Sequence, residues 1–133
     1  MTVLVAYDGS EDAKKALQRA IAVCAENEDI MVLYVIPAAL PGEIAGLPPD
    51  VTKAKAQEVV NDAINLMKQR GVTAMGVLRE GNVVEEILKF ASEMKCSYVV
   101  IGSTGTSKIG RFTIGSVAER VARHSDRPVL IVR

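Results

Sequence analysis

The chain has 133 residues and a mass of 14.2 kDa, the size of one domain with its own core, and 49% of its residues are hydrophobic. Sixteen Lys and Arg balance 16 Asp and Glu, which argues against a dedicated nucleic-acid binder. The apolar run Met31 to Ile36 is far short of the roughly 20 residues a membrane span needs, and the first basic residue, Lys14, follows Asp8, unlike a secretory signal. With one His and no Cys-x-x-Cys, a zinc or redox site has little raw material. With neither a span nor a signal pattern, the expected compartment by default is the cytoplasm.

Thr2 to Tyr7 reads as a buried strand, and Ser10 as the cap of a helix whose apolar stripe is Ala13, Ala16, Leu17, Ala20, Ile21 and Cys24. Ile30 to Ile36 reads as a second strand. Residues 37–50 then hold Pro37, Pro41, Pro48 and Pro49 and two glycines, a long loop of the kind that often serves function. A helix is expected from Pro49 or Asp50 through Ala56, Val59, Val60, Ala63, Leu66 and Met67, stopping at a left-handed Gly71. Val72 to Leu78 reads as a third strand. Asn82 and Glu85 form a capping-box-like pair before the stripe Val83, Val84, Ile87, Leu88, Ala91 and Met94. Tyr98 to Ile101 reads as a fourth strand, Ser116 to His124 as a short helix, and Pro128 to Val132 as a final strand. Met31, Met67, Met75 and Met94 are expected to pack, Cys24 to be a small core residue, Cys96 to be inert and His124 to lie on the surface. Glu85 and Glu86 read as a solvated helix start, not a catalytic carboxylate pair.

Strands without polar alternation are expected to be buried on both faces of a parallel sheet. The predicted fold is an α/β, doubly wound, Rossmann-like five-stranded parallel sheet in the order 3-2-1-4-5 with helices on both faces. Ligands of such sheets bind at the carboxyl ends of the strands near the switch point. That places Tyr7-Asp8-Gly9-Ser10 beside the segment that begins at Gly102.

This second segment carries Gly102, Gly105, Gly110 and Gly115 among serines and threonines, with Lys108 and Arg111. Glycine allows close backbone approach, successive amides form anion-binding nests, and the helix start at Gly115-Ser116 favours phosphate. The same composition suits an ordinary glycine-rich loop ending in a serine cap, and composition does not choose between the two. Lys108 lies between Ser107 and Ile109, so the P-loop pattern fails, and Asp8-Gly9-Ser10 lacks the glycines of a dinucleotide fingerprint. A nucleophile elbow is absent as well.

Gly102-x2-Gly105-x9-Gly115-Ser116 resembles the G-2x-G-9x-G-[S/T] signature of nucleotide-binding universal stress proteins. Val3 to Ser10 resembles that family's first strand and turn, Leu33 to Pro37 its second strand end, and Arg127 to Val132 its last strand. The resemblance covers residues 1–133 as one ATP-binding domain. It implies ATP, or ADP or AMP, with Mg²⁺. Ala6 and Tyr7 would line the adenine side, Asp8 would sit by ribose and phosphates, and Val35 would offer backbone groups to the adenine edge. Ile101 and Gly102 would flank base and ribose, and Gly105, Gly115, Ser116 and Val117 would hold phosphates. A triphosphate carries about four negative charges, more than Lys108, Arg111 and roughly half a charge from the helix dipole supply, hence Mg²⁺ bound through phosphate and water with Asp8 as an outer partner.

Asp8 has a rival role as a helix cap, and Lys108 and Arg111 as solvated charges. No catalytic nucleophile or base accompanies the glycines, so the expected function is an ATP-binding sensor or switch in stress response with slow or no hydrolysis. Two alternatives are a nucleotide-independent dimeric interaction module and an enzyme acting on an adenylated or phosphorylated small molecule. The last strand, 128–132, is expected at a sheet edge and, with the resemblance, implies a homodimer paired through it, with a further protein partner unidentified.

Overall fold

A computed structural model of the chain describes residues 1–24, 28–38, 49–104 and 114–133. In chain order the elements are β1 (Thr2–Ala6), α1 (Glu11–Val23), β2 (Asp29–Pro37), α2 (Pro49–Gln69), β3 (Ala74–Gly81), α3 (Val83–Glu93), β4 (Tyr98–Gly102), α4 (Ser116–His124) and β5 (Val129–Val132). The strands form one sheet in the order β3-β2-β1-β4-β5, every neighbouring pair parallel. This is the predicted α/β architecture. No helix among the described residues is long and apolar enough to cross a membrane.

Side-chain alternation along the strands splits the core in two. Val3, Val5, Ile30, Val32 and Val100 face α1 and α2, packing on Ala16, Leu17, Ala63 and Met67. Leu4, Ala6, Leu33, Val99 and Ile101 face α3 and α4, packing on Ile87, Phe90, Ala118 and Val121. Phe90 was absent from the expected α3 stripe, and the Arg79 guanidinium lies 5.5 Å from its ring centroid.

The local signals act as their chemistry dictates. Ser10 caps α1, accepting from Ala13 N–H at 3.2 Å, and Asn82 caps α3, accepting from Glu85 N–H at 3.0 Å. At the end of α2, Gly71 adopts φ +78°, Gly71 N–H donates to Lys68 O at 3.0 Å and Val72 N–H to Met67 O at 2.9 Å, a Schellman closure. His124 is exposed in the last turn of α4, as expected. Cys96 is fully buried, and burial pushes its thiol pKa up, in keeping with an inert role. Cys24 is only half-buried, at the C-cap of α1 against the core.

Two expectations fail at the sheet edge. β3 is not buried on both faces, since half of its residues are exposed, and it runs on through Arg79 and Glu80 to Gly81. These residues extend the ladder with Val35, Ile36 and Pro37 of β2 because backbone pairing at an edge needs no apolar side chain. Met75 on this strand is 65% exposed and Met94 43% exposed, so neither is the packing residue expected, whereas Met31 and Met67 are buried. Most of the proline-rich segment, residues 39–48, lies outside the described residues.

Candidate functional site

β1 and β4 are neighbours with Ala6 beside Ile101, yet β1 continues into α1 on one face and β4 leads to α4 on the other. The chain therefore diverges at their carboxyl ends and leaves a crevice. It forms a cleft of about 270 Å³, lined by more apolar than polar surface, a little below the roughly 300–1,000 Å³ of small-molecule sites.

Ala6, Tyr7, Asp8, Val35, Ile101, Gly102, Gly115, Ser116 and Val117 all line this cleft. The remaining predicted site residues, Gly105, Lys108 and Arg111, lie outside the described residues. Asp8 does not cap α1, because Ser10 does. Instead, Asp8 Oδ1 accepts the Ser10 N–H at 2.9 Å, a tight turn, and Asp8 is among the residues that line the cleft. Glycine at position 9, with φ +80°, lets the turn pass Val59, whose Cγ1 would lie 3.1 Å from a Cβ there.

The floor includes two glycines whose missing side chains let backbone segments pack closely. A Cβ on Gly102 would lie 2.7 Å from the Asp12 carbonyl, and one on Gly115 would lie 3.0 Å from Ser103 O. Gly115, not Ser116, is the N-cap of α4, and it makes no side-chain cap. The first amides of α4 thus meet the cleft with no side chain of their own residue 115 to satisfy them. This is an anion-favouring end of a helix dipole.

Residues that the sequence did not single out complete the walls. Val83 and Ile87 of α3 form an apolar side beside Leu33 and Val35. The α3 stripe was legible, but not that its first turn reaches the crevice. Tyr34 lines the cleft as well, and burial first, then the Asp8 charge, raises its hydroxyl pKa. Ser103 and Thr104 also line it, and both bond to Asp12 of α1. Hydrogen bonding, led by the Thr104 hydroxyl, holds the Asp12 carboxyl below the ordinary carboxylate range against the opposing effect of burial. Among the described residues no group of three His, Cys, Asp or Glu is placed to hold a metal.

The profile of the universal stress protein family matches residues 1–133. This chain belongs to the universal stress protein family. The universal stress protein YxiE of Bacillus subtilis is 31% identical, over 98% of this chain and 97% of its own. A solved member of the family from Burkholderia pseudomallei is 31% identical with a TM-score of 0.77, covering 98% of this chain and 94% of its own. A universal stress protein solved in complex with cAMP is 28% identical with a TM-score of 0.78, covering 100% of this chain and 97% of its own.

Proposed function

We propose that this universal stress protein binds an adenine nucleotide, ATP with Mg²⁺, in the β1–β4 cleft and works as a nucleotide-dependent sensor or switch in stress response. The observation that carries the reading is the side-chain-free floor, Gly102 and Gly115, set against the uncapped start of α4. A Cβ at either glycine would press on backbone, that of Asp12 at Gly102 and that of Ser103 and Thr104 at Gly115, so both positions leave bare backbone along the cleft, where a phosphate chain would approach. The apolar wall of Ala6, Val35, Val83 and Ile87 suits a purine ring. The family member solved with cAMP supports an adenine nucleotide as the ligand class.

In this reading Ala6 and Tyr7 line the adenine side, Asp8 sits by ribose and phosphates, Ile101 and Gly102 flank base and ribose, and Gly115, Ser116 and Val117 hold the phosphates. Among the described residues no three His, Cys, Asp or Glu cluster to hold a metal, and Mg²⁺ in this reading rests on phosphate oxygens and water, with Asp8 as an outer partner. Asp8 is the one charged side chain among the described lining residues, and no His, Lys or Cys stands with it. That donor set positions a nucleotide without a strong means of activating water, in keeping with slow or no hydrolysis.

Calorimetric titration of nucleotide-stripped protein with ATP and Mg²⁺, with ADP release followed in the same mixture, tests the reading. Saturable binding with little ADP is expected, steady turnover would make the protein an enzyme, and no binding would overturn the assignment of the cleft. We also propose a homodimer through β5, whose Leu130 is 37% exposed at an open edge, within a cytoplasmic protein. Sedimentation at twice the 14.2 kDa chain mass is the expected result.

A further inference from the structure

Asp12, in the first turn of α1, ties that helix to the chain leaving β4. Its Oδ2 accepts from Ser103 Oγ at 3.3 Å, from Thr104 N–H at 3.2 Å and from the Thr104 hydroxyl. Its Oδ1 lies 3.7 Å from Lys15 Nζ, and its side chain is 19% exposed. Asp12 does not line the cleft, but both of its partners do.

Other bonds converge on the same two residues. Ser103 N–H donates to Val132 O of β5 at 2.8 Å, and Gly115 N–H, at the cap of α4, donates to Ser103 O. Gly102 rests against the Asp12 backbone, where a Cβ would stand 2.7 Å away. α1, β5 and the start of α4 are therefore located relative to one another through Ser103 and Thr104. The Asp12 carboxylate is the charged member of this junction, and charge-assisted bonds are its strongest.

We infer that Asp12 is a positioning residue for the phosphate side of the cleft, an inference that rests on the nucleotide reading above. By taking the Thr104 amide and hydroxyl and the Ser103 hydroxyl, the carboxylate holds the chain leaving β4 against α1, and with it the Ser103 carbonyl that receives the Gly115 N–H. The phosphates are left to the first turn of α4, whose cap is held against Ser103. Asp12 touches no ligand in this role, and the apolar wall that would take the base does not depend on it.

The role predicts a split between ligands that differ only in phosphate. Native protein, Asp12→Ala and Asp12→Asn are titrated with ATP and Mg²⁺ and with adenosine, and Thr104 amide hydrogen exchange is read by NMR without nucleotide. In Asp12→Ala, ATP affinity should fall about tenfold while adenosine affinity stays within about twofold. Thr104 exchange should accelerate while the β4 amides keep their protection. Asp12→Asn keeps a carbonyl oxygen for the same donors and should recover ATP affinity to within about threefold of native.

Equal losses for ATP and adenosine would overturn the role in favour of general support of the fold, as would an Asp12→Ala chain that fails to fold. Unchanged or tighter ATP binding in Asp12→Ala would overturn it too. Native protein that binds neither ligand would overturn the nucleotide reading itself, and this role with it. Native binding with an unresponsive Asp12 overturns the role alone.

Discussion

Gly76 of β3 and Val60 of α2 meet at a separation only glycine permits: a Cβ on Gly76 would lie 2.2 Å from Val60 Cγ1. Val60 is buried, and it uses the missing side chain to bring α2 down onto the edge of the sheet. Gly76→Ala should destabilise the fold by about 1–3 kcal/mol, the cost of overpacking. Adding Val60→Ala should make the double variant less destabilised than the sum of its parts, because the clash goes with the valine. Urea unfolding of the four proteins measures the coupling, and strict additivity would contradict the contact.

Gly115 offers a different outcome. Its φ of −62° and ψ of 154° suit any residue, so a side chain there strains no backbone. Its Cβ would press on Ser103 O at 3.0 Å and Thr104 Cα at 3.2 Å, on the floor of the cleft. Gly115→Val should keep its helical circular dichroism and cooperative melting, yet lose at least about tenfold in ATP affinity by calorimetry. Undiminished affinity would remove the floor from the proposed site.

Lys95 should be replaceable to advantage. It has φ +49°, and it closes α3 with Lys95 N–H to Ser92 O at 3.1 Å and Cys96 N–H to Ala91 O at 3.0 Å. This is the Schellman position that glycine fills at the end of α2, held here by a residue with a Cβ. Lys95→Gly should stabilise by about 0.5–1 kcal/mol after the greater flexibility of the unfolded glycine chain is set against the relieved strain. A thermal melt reads the shift, and a lower melting temperature would refute it.

Acid should act through Asp12. Its folded pKa is lowered from the ordinary 3.8, chiefly by the Thr104 hydroxyl. Above 3.8 the bonded carboxylate contributes its full stability. Below it the unfolded chain takes up a proton that the folded chain does not, so the contribution is lost as pH falls through the folded pKa. The urea midpoint of native protein should therefore exceed that of Asp12→Asn at neutral pH and converge on it under strong acid. A gap of constant size over that range would mean that the carboxylate is not bonded as described.

Much of the fold was legible because its signals are local. Ser10, Asn82 and Gly71 end or begin helices through bonds to residues at most five away, and buried valines and isoleucines mark β1, β2 and β4. β3 was misjudged at both ends because an edge strand is held by its backbone, so Arg79 and Glu80 carry no strand signal and Met75 is not obliged to pack. In the cleft, the turn at Asp8 could be singled out by its place at the switch point of the sheet, and Gly102 and Gly115 by a spacing that resembles the family's glycine signature. Val83 and Ile87 could not, since a stripe at helical spacing does not tell which of its members faces a neighbouring crevice.

The order of elements, the parallel doubly wound sheet and the glycine-built turns were determined by the sequence by itself, since hydrophobic periodicity, capping and glycine conformations act within a few residues. Only the tertiary structure decided that Asp12 meets Thr104 across 92 residues, that α3 walls the cleft and that β3 lies open at the edge. Those outcomes depend on how helices roll and seat on the sheet. The seating is settled by side-chain volumes such as the absent Cβ of Gly102 and Gly76, and no local pattern records which distant surface will fill the space.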